Sequence, residues 1–190
     1  MSVSSHWAWR RRGVCLVVAI GVAAAVVTAS ASAWASASPR GARAAAASRC
    51  TTAHLEIWFG LGLGGGTAGS VYYPLEFSNV SHHACTLNGY PGVSGYGSNG
   101  SQVGPAASRN TQSHGTVTLA PGATAHAILR VVDAGALCSS PVTAAGLKVF
   151  PPGATRSQPV PFSFAACTHR GVLIVGPVHA GVGIPGFTTS

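Results

Sequence analysis

The chain has 190 residues, of which 7% are charged, and its 11 Lys and Arg residues against 3 Asp and Glu residues give a net charge of +8 at pH 7. An average soluble domain carries about 25% charged residues. This chain therefore has few side chains that could act as a general acid or base, and we expect no enzyme. The positive charge comes from missing acids, and no basic stripe of the kind that follows a phosphate backbone is visible, so we expect no nucleic-acid partner.

The pattern of residues 1–37 predicts an N-terminal signal peptide that forms a helix. Arg10, Arg11 and Arg12 supply its positive end, an apolar run follows, and small residues such as Ala35-Ser36-Ala37 offer cleavage sites. The apolar run is shorter than the ~20 residues of a transmembrane helix, so we expect cleavage and no stable membrane span afterwards. The general secretory and twin-arginine export routes both remain open. Residues 38–49 are rich in alanine, lack alternation, and predict a flexible linker.

From residue 50 onwards the pattern favours β-structure. Alternating apolar residues predict strands near 55–59, 71–77, 125–131 and 160–164, and shorter apolar runs predict strands near 93–96, 117–119, 147–149 and 172–175. Pro74 removes a ladder donor, so the strand over 71–77 is expected at a sheet edge or at a bulge. Glu56 and Glu76 fall on the polar faces of their strands.

Turn signals separate these segments about every ten residues, and Asn88-Gly89 and Pro121-Gly122 are examples. Seven to nine short strands of this kind predict an all-β fold, an immunoglobulin-like antiparallel β-sandwich over residues 50–177. A small closed barrel is the alternative. Residues 178–190 predict a loose, glycine-rich C-terminal tail.

Four cysteines follow the predicted signal peptide: Cys50, Cys85, Cys138 and Cys167. An even number in an exported chain predicts two disulfides, and four cysteines allow three pairings. We favour Cys50–Cys85 with Cys138–Cys167, because each bridge then links the two ends of one continuous half of the domain sequence and the two bridges do not cross. A zinc site is disfavoured, since no C-x-x-C spacing is present.

Several of these stretches together resemble a known family. They are Leu75-Glu76-Phe77-Ser78-Asn79-Val80-Ser81, Cys85-Thr86-Leu87-Asn88-Gly89-Tyr90-Pro91-Gly92-Val93, Gly104-Pro105-Ala106, Leu119-Ala120-Pro121-Gly122-Ala123, Leu147-Lys148-Val149-Phe150-Pro151-Pro152 and the four cysteines. In order and spacing the chain resembles the secreted actinobacterial domain-of-unknown-function family forty-two thirty-two, from Cys50 to about Pro177. The resemblance implies an exported β-sandwich with two disulfides. It implies no activity, so it supplies no catalytic, cofactor-binding or metal-binding residue.

Three patterns in the sequence could indicate a ligand or catalytic site, and each has a simpler interpretation. Residues 60–65 spell G-x-G-x-x-G, but a strand follows instead of the helix that a dinucleotide site needs. Seven histidines follow the leader, yet few carboxylates exist to complete a metal site; they are His54, His82, His83, His114, His126, His169 and His179. A hydrolytic triad has only Asp133 as its acid, and no nucleophile elbow is present. We therefore predict no catalytic residue, no cofactor and no metal.

Aromatic residues offer a further possible recognition surface, in which Trp58, Tyr72, Tyr90 and Tyr96 would combine with Arg109 or Arg130. The same rings are equally expected in the core or over its edge, so the ligand-binding residues stay unassigned.

The sequence predicts a monomeric, secreted or extracytoplasmic module, retained at the cell wall, that binds a protein or polymer of the cell envelope. The alternative is a freely secreted effector or inhibitor of another enzyme, and a histidine-based metal-binding protein ranks third.

Overall fold

The computed structural model describes residues 46–60 and 65–184. The described residues form β-strands and two one-turn 3-10 helices, Thr52–His54 and Ala134–Ala136, which confirms the all-β class. The strands are β1 (Ser48–Arg49), β2 (Leu55–Phe59), β3 (Gly65–Thr67), β4 (Ser70–Asn79), β5 (Cys85–Asn88), β6 (Gly92–Tyr96), β7 (Gln102–Val103), β8 (Ser108–Arg109), β9 (Thr116–Leu119), β10 (Thr124–Val132), β11 (Val142–Phe150), β12 (Gln158–Ala166), β13 (Leu173–Val175) and β14 (His179–Ala180). The predicted signal peptide lies outside the described residues. No helix within the described ranges has the length and hydropathy to cross a membrane.

The strands form three sheets. The largest has the order β2-β4-β10-β13-β8, with β3 also paired to β4 and β14 also paired to β10. The second has the order β12-β11-β6-β7, and the third has the order β1-β5-β9. Most pairs are antiparallel, and β1–β5 and β8–β13 are parallel. Within the described residues each sheet is an open path of strands, so the predicted alternative of a closed barrel does not form.

All three sheets contribute apolar side chains to one core, in a sandwich-like arrangement. Phe77 of β4, Leu147 of β11 and Leu87 of β5 are each completely buried and belong to the same cluster. Period-2 alternation produces this burial, because every second residue of β2 and β10 points to the same side. The alternating runs of the sequence therefore identify the core-facing strands.

Two disulfides brace the fold. Cys50–Cys85 joins the residue after β1 to the first residue of β5, the neighbouring strand of the same sheet, and Cys138–Cys167 joins the loop between β10 and β11 to the residue after β12. These are the two pairs that the sequence favours. The first bridge therefore fixes the start of the domain to the third sheet, and the second fixes the β10–β11 loop to the end of β12.

The prediction for Pro74 is wrong. β4 lies between β2 and β10 in the interior of the largest sheet. The carbonyl of Pro74 accepts from the N–H of Gly60 just beyond the end of β2, so the Pro74 nitrogen also points to this place, where the β2 ladder has stopped. An interior strand accepts the proline because no ladder bond is needed from it at that position.

Ordered structure extends beyond the predicted ends of the domain. Ser48 and Arg49, assigned to the linker, pair with Cys85 and Thr86 as β1. The first residues of the predicted tail, 178–184, include strand β14, which pairs with β10. The glycine-rich stretch that follows β2 likewise includes a short strand, β3, paired with β4. Strands of two or three residues show no periodicity, which explains why the sequence does not indicate them.

Candidate functional site

A cavity of about 410 Å³ lies between two segments that are far apart in the sequence, residues 49–53 and 153–156. We call it the arginine cavity, because Arg49 and Arg156 both line it. Its remaining lining consists of Cys50, Thr51, Thr52, Ala53, Gly153, Ala154 and Thr155. The residues that line the cavity therefore include two arginines and three threonines, and no acid.

The first wall is fixed by covalent and backbone bonds. Cys50 is tied to Cys85 by the disulfide, and its N–H donates to the carbonyl of Thr86 at 2.9 Å. The next residues form the one-turn helix Thr52–His54, which closes with a bond from the His54 N–H to the Thr51 carbonyl at 3.0 Å. Arg49 and the threonines are thereby attached to a rigid part of the fold.

The second wall is a tight turn between β11 and β12. The N–H of Ala154 donates to the carbonyl of Pro151 at 2.9 Å, and Gly153 has φ +70°. Proline followed by glycine in the left-handed region is the preferred sequence of a type II turn. A Cβ atom on Gly153 would lie 2.7 Å from Arg49 Nη1, so only glycine lets the guanidinium rest against this backbone.

Two hydrogen bonds hold the walls together. Arg49 Nη1 donates to the carbonyl of Gly153 at 3.3 Å, and Thr52 Oγ1 donates to the carbonyl of Arg156 at 2.7 Å. A guanidinium has five N–H donors, and the Arg49 contact uses one of them. Both arginine side chains are exposed, so a ligand can reach them from solvent.

The chemistry of the arginine cavity favours an anionic ligand rich in oxygen. Guanidinium groups match carboxylate and phosphate oxygens in bidentate geometry. Threonine hydroxyls donate to or accept from neighbouring polyol or phosphate oxygens. With no acid in the lining, a bound anion meets no like charge there.

A second cavity, of about 500 Å³, has a different character. Tyr73, Phe162 and Phe164 line it, together with Asp133, and no arginine or lysine does. The Phe162 ring also packs on Phe59, with 4.2 Å between the ring centroids, so this aromatic group takes part in core packing. Asp133 accepts from the N–H of Gly135 through Oδ1 and caps a 3-10 turn. The one carboxylate in the lining of this cavity is thus engaged in local structure.

The aromatic residues singled out in the sequence occupy separate places. Tyr90 lies under Arg109, with 5.5 Å from the guanidinium carbon to the ring centroid, and Tyr72 lies under Arg130 at 5.7 Å. The ring of Tyr96 pairs with a third cation, Lys148, and Trp58 donates through Nε1 to Ser78 Oγ at 3.1 Å. Each ring therefore has its own polar partner, and the four are distributed over several strands and loops.

The histidines and carboxylates form no metal site in the described part of the chain. Among the described residues no group of three or more His, Cys, Asp or Glu side chains is arranged to hold a metal ion. His126 and His179 form a ring pair with centroids 5.9 Å apart. Glu56 is exposed on β2, whereas Glu76, which the sequence places on a polar face, is completely buried.

The sequence gives almost no indication of the arginine cavity. Arg49 falls in the predicted linker, and Arg156 lies in a turn-rich segment 107 positions later. Two local signals mark the walls, namely Cys50 beside Arg49 and the Pro152-Gly153 turn before Arg156. Their meeting depends on the disulfide and on the bond from the Ile57 N–H to the Gln158 side-chain oxygen, which joins β2 to the start of β12.

Comparison with known proteins identifies a family. The family described as "Domain of unknown function (DUF4232)" matches residues 50–179, which is most of the chain. No curated protein and no solved structure matches significantly.

Proposed function

The chain belongs to this family of domains of unknown function, and we propose that it is an exported, non-enzymatic module that binds an anionic polymer of the cell envelope through the arginine cavity. The observation that carries the proposal is the meeting of Arg49 and Arg156 in one cavity that has hydroxyl groups and no acid. Polymers with phosphate or carboxylate groups on a polyol or sugar backbone present the matching oxygens.

Export is supported by the covalent structure. Disulfides form and persist in oxidising compartments, and the described domain contains two of them. The predicted signal peptide leads to the same compartment. Retention at the cell wall would follow from the affinity for the polymer, without any membrane anchor.

The expected affinity for one repeat of the polymer is low. Exposed ion pairs contribute only about 0.2–1 kcal/mol each, because water and salt screen them. Several modules on one strand, or several repeats near one cavity, raise the effective affinity through local concentration. A monomeric module of this kind would therefore bind walls better than it binds short fragments.

A binding role fits the scarcity of catalytic groups better than an enzymatic role does. The register places Glu56 and Glu76 diagonally on one face of β2 and β4, but Glu76 has no exposed surface. Asp133 is engaged as a helix cap. We therefore propose no reaction for this domain.

The test is cosedimentation of the purified mature protein with isolated cell walls at low salt. We expect retention on intact walls, loss on walls stripped of their anionic polymers, and loss at high ionic strength. The double variant Arg49→Gln, Arg156→Gln should bind about ten-fold more weakly, which corresponds to a loss of about 1.4 kcal/mol.

The matched control is Arg170→Gln with Arg109→Gln, which removes the same charge outside the cavity. Equal weakening by both double variants would assign the binding to net charge and contradict the role of the cavity. No retention of the wild-type protein, with recovery from the culture medium alone, would contradict the envelope function and favour the freely secreted effector or inhibitor.

A further inference from the structure

Four side chains form a row across the outer face of the largest sheet. The strand registers place Trp58 of β2 opposite Glu76 of β4, Glu76 opposite His126 of β10, and His126 opposite His179 of β14. Directly opposite residues on neighbouring strands point to the same side and lie about 5 Å apart at Cβ. The row therefore brings one carboxyl group and two imidazoles together on one face of the sheet.

The chain crosses this row immediately after β14. Residues 181–184, which we call the strap, are held by a bond between His126 Nδ1 and the Gly181 carbonyl at 2.9 Å. The N–H of Gly183 donates to Glu76 Oε1 at 2.8 Å. A Cβ atom on Gly183 would lie 2.7 Å from Pro74 Cβ, so the strap backbone lies directly on the sheet.

The contact leaves the carboxyl group of Glu76 in an unfavourable environment when it is ionised. Glu76 is 0% exposed, and its Oε2 atom has no hydrogen-bond partner among the described residues. Burying a charge without pairing costs much more than burying a neutral carboxyl. Burial accordingly raises the pKa of Glu76 above its ordinary value, and the bond from Gly183 acts in the opposite direction.

The strap also contains a strained residue. Ile184 has φ +77°, a left-handed conformation that β-branched residues rarely adopt. Such strain persists only while surrounding contacts hold it. Release of the Glu76 contact therefore also permits relief of the strain, which lowers the cost of opening.

We propose that the strap is a pH-operated cover, closed over the row while Glu76 is protonated and lifted when Glu76 ionises. The pH dependence of closure then has the direction expected of a buried carboxyl group that is more stable in its neutral form. Its stabilisation is complete in acid and is lost as the pH rises through the titration of the buried group. Lifting uncovers Pro74, Glu76 and His126 between Trp58 and His179, so the face of the sheet is available to a partner near neutral pH and covered in acid.

The other titratable groups around Glu76 are few. His126 and His179 face it from β10 and β14, and Glu56 lies diagonally on β2. Protonated imidazoles would favour the ionised carboxylate and would repel each other, which acts against closure in acid, whereas the Nδ1–H of a protonated His126 would donate to the Gly181 carbonyl, which acts in favour of it. Ionisation of Glu76 is expected to have the larger effect on closure, and the sign of the pH dependence distinguishes the two kinds of group.

The test is amide hydrogen exchange of the disulfide-bonded mature protein, followed by NMR at pH 4.5 and pH 7.5 and corrected for intrinsic exchange. The reporter is the Gly183 amide, and the internal reference is the Val178 amide, which bonds to the Gly89 carbonyl outside the strap. We expect the protection of Gly183 to fall between the two values, because closure weakens by up to a factor of ten for each pH unit between the ordinary pKa of a glutamate and the raised pKa of Glu76.

Variants distinguish the effect of the Glu76 carboxyl group from the effects of other residues. Glu76→Gln keeps the shape without the charge, and its Gly183 amide should stay protected at both pH values, whereas the control Glu56→Gln should behave as the wild type does. Gly183→Ala should lose protection at both pH values, and Gly171→Ala, at an open position, should not. Protection that is independent of pH, that rises with pH, or that keeps its pH dependence in Glu76→Gln would each overturn the proposal.

Discussion

At the scale of single residues, the amide of Asn79 fixes a corner between two strands. Its Nδ2 donates to the carbonyls of His83 and Leu119 at 2.9 and 3.1 Å and also lies 3.3 Å from the carbonyl of Ala120. Its Oδ1 accepts from both the N–H and the hydroxyl of Ser81. Asn79 is completely buried, so without it the carbonyls that it contacts lose a donor, above all the buried carbonyl of Leu119.

Replacement of Asn79 should therefore be among the most damaging changes in the domain. Asn79→Ala should lower the free energy of unfolding by about 2–3 kcal/mol, because it leaves buried carbonyls unpaired. Asn79→Asp should cost more at pH 7, since a carboxylate then faces those carbonyls, and should partly recover in acid when the carboxyl can donate. Urea titrations at pH 4.5 and 7 measure both effects, with the exposed Asn88→Ala as control. An Asn79→Asp variant as stable as the wild type at pH 7 would contradict this account.

Residues such as these show where the sequence stops being informative. Alternation correctly places Glu76 on the side of β4 that faces away from Leu75 and Phe77, but it does not show that residues 181–184 return to cover that side. In the same way, Asn79 and Arg49 acquire their roles from partners 40 and 104 positions away. Local patterns indicate the face on which a side chain lies, and they do not indicate what covers the face.

At the scale of elements, the sequence predicts the strands with a long alternating run and also four strands with a shorter apolar run, β6, β9, β11 and β13. β4 and β10 pair continuously from Ser70 opposite Val132 to Ser78 opposite Thr124, and every second residue enters the core. The two-residue strands β1, β7, β8 and β14 depend instead on their neighbours, since two residues cannot define a period. These short strands fix the first wall of the arginine cavity and the start of the strap, so the functional candidates lie where prediction is weakest.

The disulfides are the elements whose contribution can be estimated most directly. Each closes a loop, of 35 residues for Cys50–Cys85 and of 29 residues for Cys138–Cys167. On the chain-entropy account, removing either bridge costs about 3–4 kcal/mol. We expect Cys50→Ser with Cys85→Ser, and Cys138→Ser with Cys167→Ser, to lower the denaturant midpoint by similar amounts.

Removal of Cys50–Cys85 should also weaken retention on cell walls, because this bridge anchors the side of the arginine cavity that carries Arg49. Removal of Cys138–Cys167 should leave retention unchanged in protein that is still folded. Intrinsic fluorescence in urea measures the first effect, and the cosedimentation assay measures the second. Equal loss of retention in both variants would show that Cys50–Cys85 has no special connection to the cavity.

At the scale of the whole molecule, stability has to come from the apolar core and from the two covalent bridges. The described residues carry few charges, so ion pairs contribute little, and three sheets share one core that each covers only in part. Domains of this size are stable by about 5–15 kcal/mol in total. Two bridges worth about 3–4 kcal/mol each thus supply a large part of that total.

The reduced chain should therefore be unfolded or marginally stable at 37 °C, and the domain should fold only where disulfides form. We expect residues 38–190 to accumulate in a protease-sensitive form when they are produced in a reducing cytosol, and in a protease-resistant form when they are exported or refolded under oxidising conditions. Intact-mass analysis with and without thiol alkylation counts the bridges in each preparation, and limited proteolysis reports the fold. A protease-resistant product with four free thiols would contradict the argument, because it would show that the core alone supports the fold and that an oxidising compartment is not needed.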